Sequence, residues 1–470
     1  MRSTPSRTER WIASRWASVL PVLAILVLWW PSLDAGFQFD DWNVIVNEPR
    51  VHSLAAWWQS MPGIRPLLKF SYALNFAFSE QPAGFRLVNV LIHAANAMLV
   101  YWLLRERGRR IGLSDARAAF AALAAALLFA LHPVQSEAVT YISGRSSSLM
   151  ALFCLLSLYC WARSQNSEHG SRAVRWLIGC VLAFIAAVAT KEVAFVLPLA
   201  LWLYSADLPV RNTLRRLAPI LMLAALLAMI ACLSSTYRNL LQISLDTRSV
   251  GTNLLTQAHA LLYLCGQLLR IRHGNADPQL PVIEHADLAS VALCVAWAVA
   301  LVVGLLNVRR APVIAFAVLW FLLWLAPTNS LLPRLDVAND RQLYLALIGP
   351  AWALAVWISA WRSHQPWPAY AVAAVFIALL AHATLLRNRI YATEISFWQD
   401  TAARNPHSAR AHNNLGMAYA LDCQIDEAAA EFQRSIDLDP QDYRARINLR
   451  LLGQGALPGV DMQRCAALAR

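Results

Sequence analysis

Apolar segments of bilayer-crossing length follow one another along most of this chain, separated by short loops in which arginine recurs. They centre on 17–34, 86–104, 117–133, 147–164, 173–190, 192–205, 216–233, 253–270, 287–307, 311–327, 341–360 and 368–386. Hydrocarbon offers the backbone no water, so every N–H and C=O must bond within its own segment, and about 20 apolar residues of helix satisfy that demand. A chain written this way folds as an all-α, polytopic membrane helix bundle. Its 470 residues are 58% hydrophobic and 14% charged, against about 25% charged in soluble domains. Such a composition excludes a disordered chain, a collagen-like repeat and a small disulfide scaffold.

The formal net charge of +12 rests on 40 basic residues, of which only Lys69 and Lys191 are lysines. The arginines fall in short runs between apolar segments instead of forming one basic face, which argues against nucleic-acid binding. In that setting they orient helices, because short cytoplasmic loops retain positive charge. Arg2, Arg7, Arg10 and Arg15 precede the first segment, and Trp29-Trp30-Pro31 is unlike a small-residue cleavage site. The N-terminus therefore reads as an uncleaved, cytoplasm-facing signal anchor. Arg105–Arg110, Arg163–Arg175 and Arg211–Arg216 then fall on the cytoplasmic side. Keeping Arg309, Arg310 and Arg362 there requires one segment between 233 and 287 not to cross. Segment 253–270, broken by Asn253, Gln257, His259 and Gln267, fits an interfacial or re-entrant amphipathic helix. Eleven spans result, with loop 35–85, loop 133–146, the Lys191-Glu192 turn, loop 328–340 and the C-terminus on the trans side.

After about residue 388 the pattern becomes polar and alanine-rich, dividing the chain into a membrane domain (1–388) and a helical tail (389–470). NNLGMAYALDCQIDEAAAEFQRSIDLDP carries the tetratricopeptide spacing through Leu415, Gly416, Tyr419, Ala428, Phe432 and Pro440. Gly416 and Ala428 let two helices approach, and Tyr419 and Phe432 fill the space between them. Cys423 stands where glycine usually makes the turn. One good repeat with partial flanks falls short of the roughly three that an independent solenoid needs, so the tail is expected to pack against the membrane domain or a partner. The eight cysteines form no CxxC pair, and no disulfide framework or metal site is readable from them.

Polar residues with chemical potential collect in the trans loops. Asp40 and Asp41 follow the first span; paired carboxylates at a desolvated boundary raise each other's pKa, which suits a general base, although a solvated helix cap fits the same pair. Arg65 stands just before the next helix. Asn89, His93 and Asn96 share one face of a membrane helix and form either a buried hydrogen-bonded seam or a pocket wall. His132, Glu137 and Arg145 lie in one short loop, with Arg145 opening a helix beside Ser146–Ser148, where backbone donors and guanidinium together suit a phosphate. Lys191 and Glu192 form either a structural ion pair or a functional one. Asn329, Arg334, Asp340 and Arg341 close the set, Arg341 again at a helix start.

The ordered motifs FDDWNVIVNEPRV, RPLLKFSYALNF, GFRLVNVLIHAANAMLV, LFALHPVQSEAVTYISGR, Lys191-Glu192 and NDRQLYLAL, followed by a tetratricopeptide region, resemble the transmembrane and tetratricopeptide-repeat-containing O-mannosyltransferases and their bacterial relatives. These are glycosyltransferases of the GT-C membrane type. Gln135 and Ser136 depart from that family's pattern, as does the DRQLYL stretch. The resemblance implies transfer of a mannose-like sugar, with inversion, from a polyprenyl-phosphate donor to a hydroxyl of a translocated protein, without a metal or other cofactor. It further implies that Asp40 or Asp41 is the catalytic carboxylate, and that Arg65, His93, His132, Glu137, Arg145, Lys191, Glu192 and Arg341 bind substrate or the lipid phosphate. Arginine in place of lysine suggests a GC-rich bacterial genome, hence an inner membrane with a periplasmic active side. A membrane-anchored scaffold and a lipid-linked glycan transporter are the competing readings.

Overall fold

The computed structural model describes residues 15–61, 63–167, 170–269, 274–362 and 366–468, so Arg2, Arg7 and Arg10 lie outside the described residues. The described residues form helices joined by loops and contain no strand. Local sequence sets many boundaries. Pro82 opens the longest helix, Pro82–Arg110, at a position where a missing N–H costs nothing, and Arg107, Arg109 and Arg110 close it beside its negative dipole end. Ser53, Asp287, Thr393 and Ser408 each cap a helix through a side-chain oxygen.

Among the described residues, six helices are long and apolar enough to cross a membrane: Pro82–Arg110, Ile142–Gln165, Ser171–Thr190, Val210–Leu233, Leu288–Leu306 and Tyr370–Ile390. Two bent pairs, Asp115–Leu131 with Pro133–Val139 and Asp340–Ala346 with Ile348–Trp361, bring the number to 8. Trp16–Ser32, Glu192–Tyr204 and Pro312–Leu325 are apolar but shorter. Length and apolarity therefore support six to eight crossings, where the arginine pattern predicts eleven. Val250–Leu269 is not among them; it buries Asn253, Gln257 and Gln267. Asn253 donates to the Ser330 carbonyl (2.7 Å) and Gln257 accepts from Asn329 (2.8 Å).

Contacts gather the loops into two clusters. In one, Arg107 and Arg110 donate to the Tyr204 carbonyl (2.7 and 2.8 Å), Arg216 donates to the Ser164 carbonyl (2.9 Å), and Arg107 lies 4.2 Å from the Phe316 ring centroid. The other joins the loops assigned to the trans side: Asp41 to Ser143, Arg65 to Glu192, Lys191 to Ser147 and Glu137 to Arg341.

The tail packs on this second cluster, as its short repeat array demands. Tyr141 of the membrane domain shares an apolar cluster with Tyr391, Phe397, Trp398 and Leu415. Arg410 donates to Asp336 (3.0 Å) and pairs with Asp277. Helix Pro366–Ile390 runs just past the expected boundary at 388, and the next helix starts at Glu394. One expectation is overturned: Cys423 and Cys465 form a disulfide, with Cα atoms 4.9 Å apart. Cys423 occupies a left-handed turn (φ +64°), the conformation that favours glycine at this position in other repeats.

Candidate active site

The two neighbouring carboxylates have opposite surroundings. Asp41 is fully buried. Its Oδ1 accepts from the Ser143 N–H (2.8 Å) and hydroxyl (2.5 Å), and its Oδ2 accepts from the Gln38 N–H (3.1 Å). Burial pushes its pKa up to about 6, against the lowering effect of the Ser143 hydrogen bonds. Asp40 is half-buried. Its amide donates to the Tyr141 hydroxyl (3.1 Å), while its carboxylate accepts no hydrogen bond and joins no ion pair among the described residues. Asp41 thus fastens the loop and Asp40 is the carboxylate left over for other chemistry, a distinction invisible in two adjacent letters.

Arg86, which the sequence did not single out, ties down the entry to this loop. Its guanidinium is buried and donates to the carbonyls of Thr140 (2.9 Å), Ala35 and Gly36. Behind the loop, Gly144 lies so close to the Ser136–Val139 helix that a Cβ there would meet the Glu137 carbonyl oxygen at 2.0 Å.

A small recess of about 30 Å³ is lined by Ser147, Lys191, Arg334, Asn339, Arg341 and Tyr344 among others. Lys191 donates to the Ser147 hydroxyl (2.7 Å). Burial, with Arg341, Arg65 and Arg334 around it, holds the Lys191 ammonium well below the usual lysine pKa. The anions nearby are Glu192, which Arg65 binds with two nitrogens (3.0 and 2.8 Å), Glu137, which accepts from the Arg341 amide (2.9 Å), and Asp40 and Asp336, both within electrostatic reach of Arg341. Arg65, Arg334 and Arg341 thus bring guanidinium donors suited to a phosphate around Lys191. Arg341 lies within electrostatic reach of both Asp40 and Lys191.

A larger apolar cavity of about 500 Å³ is lined in part by two of the helices that also line this recess. The Glu192–Tyr204 helix contributes Val193 to the recess and Trp202 to the cavity, and the Pro312–Leu325 helix contributes Trp324 to one and Leu322 to the other. Asn329 and Ser330 supply polar lining to the cavity, whose surface is otherwise mostly Leu, Ala and Trp.

Three expected ligand residues are taken up by packing. Arg145 is fully buried and donates to Asn89 Oδ1 (2.7 Å), Asn75 Oδ1 (2.9 Å), the Phe85 carbonyl (2.8 Å) and the Ser71 carbonyl (3.1 Å), which leaves its guanidinium nothing to offer a phosphate. His93 meets the Tyr344 hydroxyl at Nδ1 (2.7 Å) and donates from Nε2 to the Ala130 carbonyl (3.1 Å). His132 accepts from the Val134 N–H (3.2 Å) and donates to the Leu268 carbonyl (3.2 Å). Asn89 and Asn96 likewise form a seam, Asn96 donating to the Ser148 carbonyl and the Tyr344 hydroxyl (both 2.9 Å). Glu394 is the functional candidate that sequence reasoning missed: its Oε1 accepts from the Phe39 N–H (2.7 Å), and no local motif signals a partner 355 residues away.

Comparison with known proteins follows the same two parts. A tetratricopeptide-repeat family model matches residues 409–442. Protein O-mannosyl-transferase TMTC3 of Mus musculus is 23% identical over 92% of this chain and 52% of its own length. Tmtc3 of Drosophila melanogaster is 24% identical over 91% of this chain and 55% of its own. Human TMTC4 is 32% identical, over 38% of this chain and 27% of its own. The chain thus spans about half the length, or less, of these curated relatives.

Proposed function

We propose, from the premise that the homologues of this chain are protein O-mannosyl-transferases, that it is an integral-membrane glycosyltransferase acting on a polyprenyl-phosphate sugar. The observation that carries the reading is the juxtaposition of one unpartnered carboxylate, Asp40, with Arg341, a basic recess, and an apolar cavity bordered by two of the same helices. The recess offers cationic donors to a phosphate, and the cavity offers apolar walls to part of an isoprenoid chain.

In the proposed reaction Asp40 accepts the proton of a Ser or Thr hydroxyl as its oxygen attacks the anomeric carbon. The bond from that carbon to the phosphate oxygen breaks, and the polyprenyl phosphate leaves. Its negative charge falls on Lys191, Arg334 and Arg341, which supply electrostatic stabilisation where charge develops. Attack opposite the phosphate inverts the sugar configuration, and a mannose-like sugar accords with the relatives' names. Asp41, Ser143 and Arg86 hold the loop, and Glu137 and Glu192 orient the cations. No cofactor enters this scheme.

The trans side is the side on which such a donor is used, with the bacterial periplasm as the proposed compartment. The Cys423–Cys465 disulfide supports this, because disulfides persist in oxidising compartments. The repeat region, covering the acidic loop, is the proposed contact for a protein acceptor. The test compares glycan profiles of envelope proteins from cells carrying wild-type, Asp40→Asn and Lys191→Met forms. Loss of glycosylation at normal protein level is expected in both variants; full glycosylation in the Asp40→Asn cells sinks the reading.

A further inference from the structure

The acidic loop is fastened at two places. One belongs to the membrane domain: Asp41 to Ser143, and Arg86 to the carbonyls of Ala35 and Gly36. The second belongs to the repeat region, and it grips the residues on either side of Asp40. Glu394, the first residue of helix Glu394–Arg404, accepts at Oε1 from the Phe39 N–H (2.7 Å) and the Trp42 indole N–H (3.1 Å). Its Oε2 accepts from the Trp398 indole N–H (3.0 Å). Gln38 donates to the Tyr391 carbonyl, and Gly36 N–H to the Ala392 carbonyl (3.4 Å). The Phe39 ring packs edge-on to Trp398 with centroids 5.1 Å apart and stacks at 6.5 Å on Phe397.

Phe39 itself is in the left-handed region (φ +47°). A phenylalanine does not rest there without support, because its Cβ crowds the following carbonyl. The supports are a carboxylate on its amide and two aromatic rings on its side chain, all three from the repeat region. Released from them, the residue relaxes to an ordinary backbone conformation, and the turn that sets the direction of Asp40 is lost. We infer that Glu394 is a positioning residue for the transfer reaction, so that the repeat region forms part of the catalytic architecture and sets the geometry of Asp40.

This inference rests on Asp40 being the base, and the experiment separates the two. Full-length protein in lipid nanodiscs is prepared as wild type, Glu394→Gln, Glu394→Ala and Asp40→Asn. Backbone hydrogen exchange is followed over 36–48, and transfer is measured with synthetic mannosyl polyprenyl phosphate and a Ser/Thr peptide. Glu394→Ala removes every acceptor, whereas Glu394→Gln keeps one acceptor oxygen, able to serve the Phe39 N–H, and turns an NH2 against the remaining donor. Glu394→Ala is expected to speed exchange at the Phe39 amide at least tenfold, and Glu394→Gln by less, while exchange in Pro82–Arg110 stays put. Turnover is expected to fall at least tenfold, with the donor KM changed less than twofold. A general loss of fold would raise exchange everywhere; in that event Trp42→Phe, which removes one donor and keeps the bulk, repeats the measurement. Wild-type exchange at Phe39 in Glu394→Ala overturns the positioning role, as does wild-type turnover in that variant. If Asp40→Asn retains full turnover, the base assignment fails while the exchange result still decides whether Glu394 holds the loop.

Discussion

The two acidic side chains should fail in different ways when each is replaced by asparagine. Asp40→Asn removes a carboxylate with no partner among the described residues, so folding has little to lose. Transfer loses its base, and removal of a general base slows reactions by about 10²–10⁴-fold. Asp41→Asn should act on stability and on its pH dependence. The wild-type Asp41 is raised from 3.8 to about 6, which corresponds to about 3 kcal/mol at 1.36 kcal/mol per pH unit. Because the folded pKa is raised, the folded state binds the proton more tightly. This contribution is fully present below pH 3.8, is lost as pH rises through 6, and is absent above. Wild type should therefore lose up to about 3 kcal/mol between pH 4 and 7 from this one group. Asp41→Asn cannot titrate, so that slope disappears, while its amide meets the Gln38 N–H donor and costs about 1–2 kcal/mol. Thermal unfolding of purified protein at pH 4, 5, 6 and 7, with transfer measured in parallel, reads both quantities. An Asp41→Asn protein with the wild-type pH slope would refute the burial argument, and a fully active Asp40→Asn enzyme would refute the division of roles.

Other predictions follow from the same contacts. Lys191→Met removes a hydrogen-bond donor and Arg334→Met a charge from the recess, and the donor KM should rise tenfold or more in each, with weaker dependence on ionic strength in Arg334→Met than wild type shows. Gly144→Ala puts a Cβ 2.0 Å from a backbone oxygen; the clash has no flexible end to yield, and yield of folded protein by size-exclusion chromatography should collapse. Arg410→Ala removes two ion-pair contacts, to Asp277 and Asp336, and limited proteolysis should then release the repeat region at lower protease concentration. Cys465→Ser opens a loop closed by a bridge of sequence separation 42, worth about 4 kcal/mol by chain entropy. Its repeat region should melt earlier, and wild type treated with dithiothreitol should match it.

What could be read in the sequence were features that report locally. Arginine runs betray which loops share a side, and both sets do meet in space, Arg107 with Asp207 (3.6 Å) and Arg65 with Glu192 (2.8 Å). Repeat spacing fixed the helix pair because Gly416 and Phe432 must touch: a Cβ on Gly416 would lie 2.7 Å from the Phe432 ring. What could not be read was satisfaction. Arg145, His93 and His132 look like ligands in a line of letters, since their partners Asn75, Tyr344 and Leu268 come from other segments. The crossing number suffers from a related problem, because helices shorter than a bilayer look, by composition, like full spans. The disulfide escaped because its two cysteines are brought together only by the repeat fold.

The polar seam of helix Pro82–Arg110 also constrains how the protein is made. Arg86, Asn89, His93 and Asn96 are all buried, yet the hydroxyl that both His93 and Asn96 use belongs to Tyr344, 251 and 248 residues further along. As the chain emerges N-terminus first, this helix enters the bilayer long before that partner has been synthesised. Polar side chains within a membrane helix are costly until they are paired. The half-made protein therefore has to keep this helix beside water, chaperone or insertase until residue 344 arrives. Ribosome-bound intermediates ending before and after Tyr344 should differ in how firmly an early helix sits in lipid, which makes a single hydroxyl late in the chain the signal that completes its beginning.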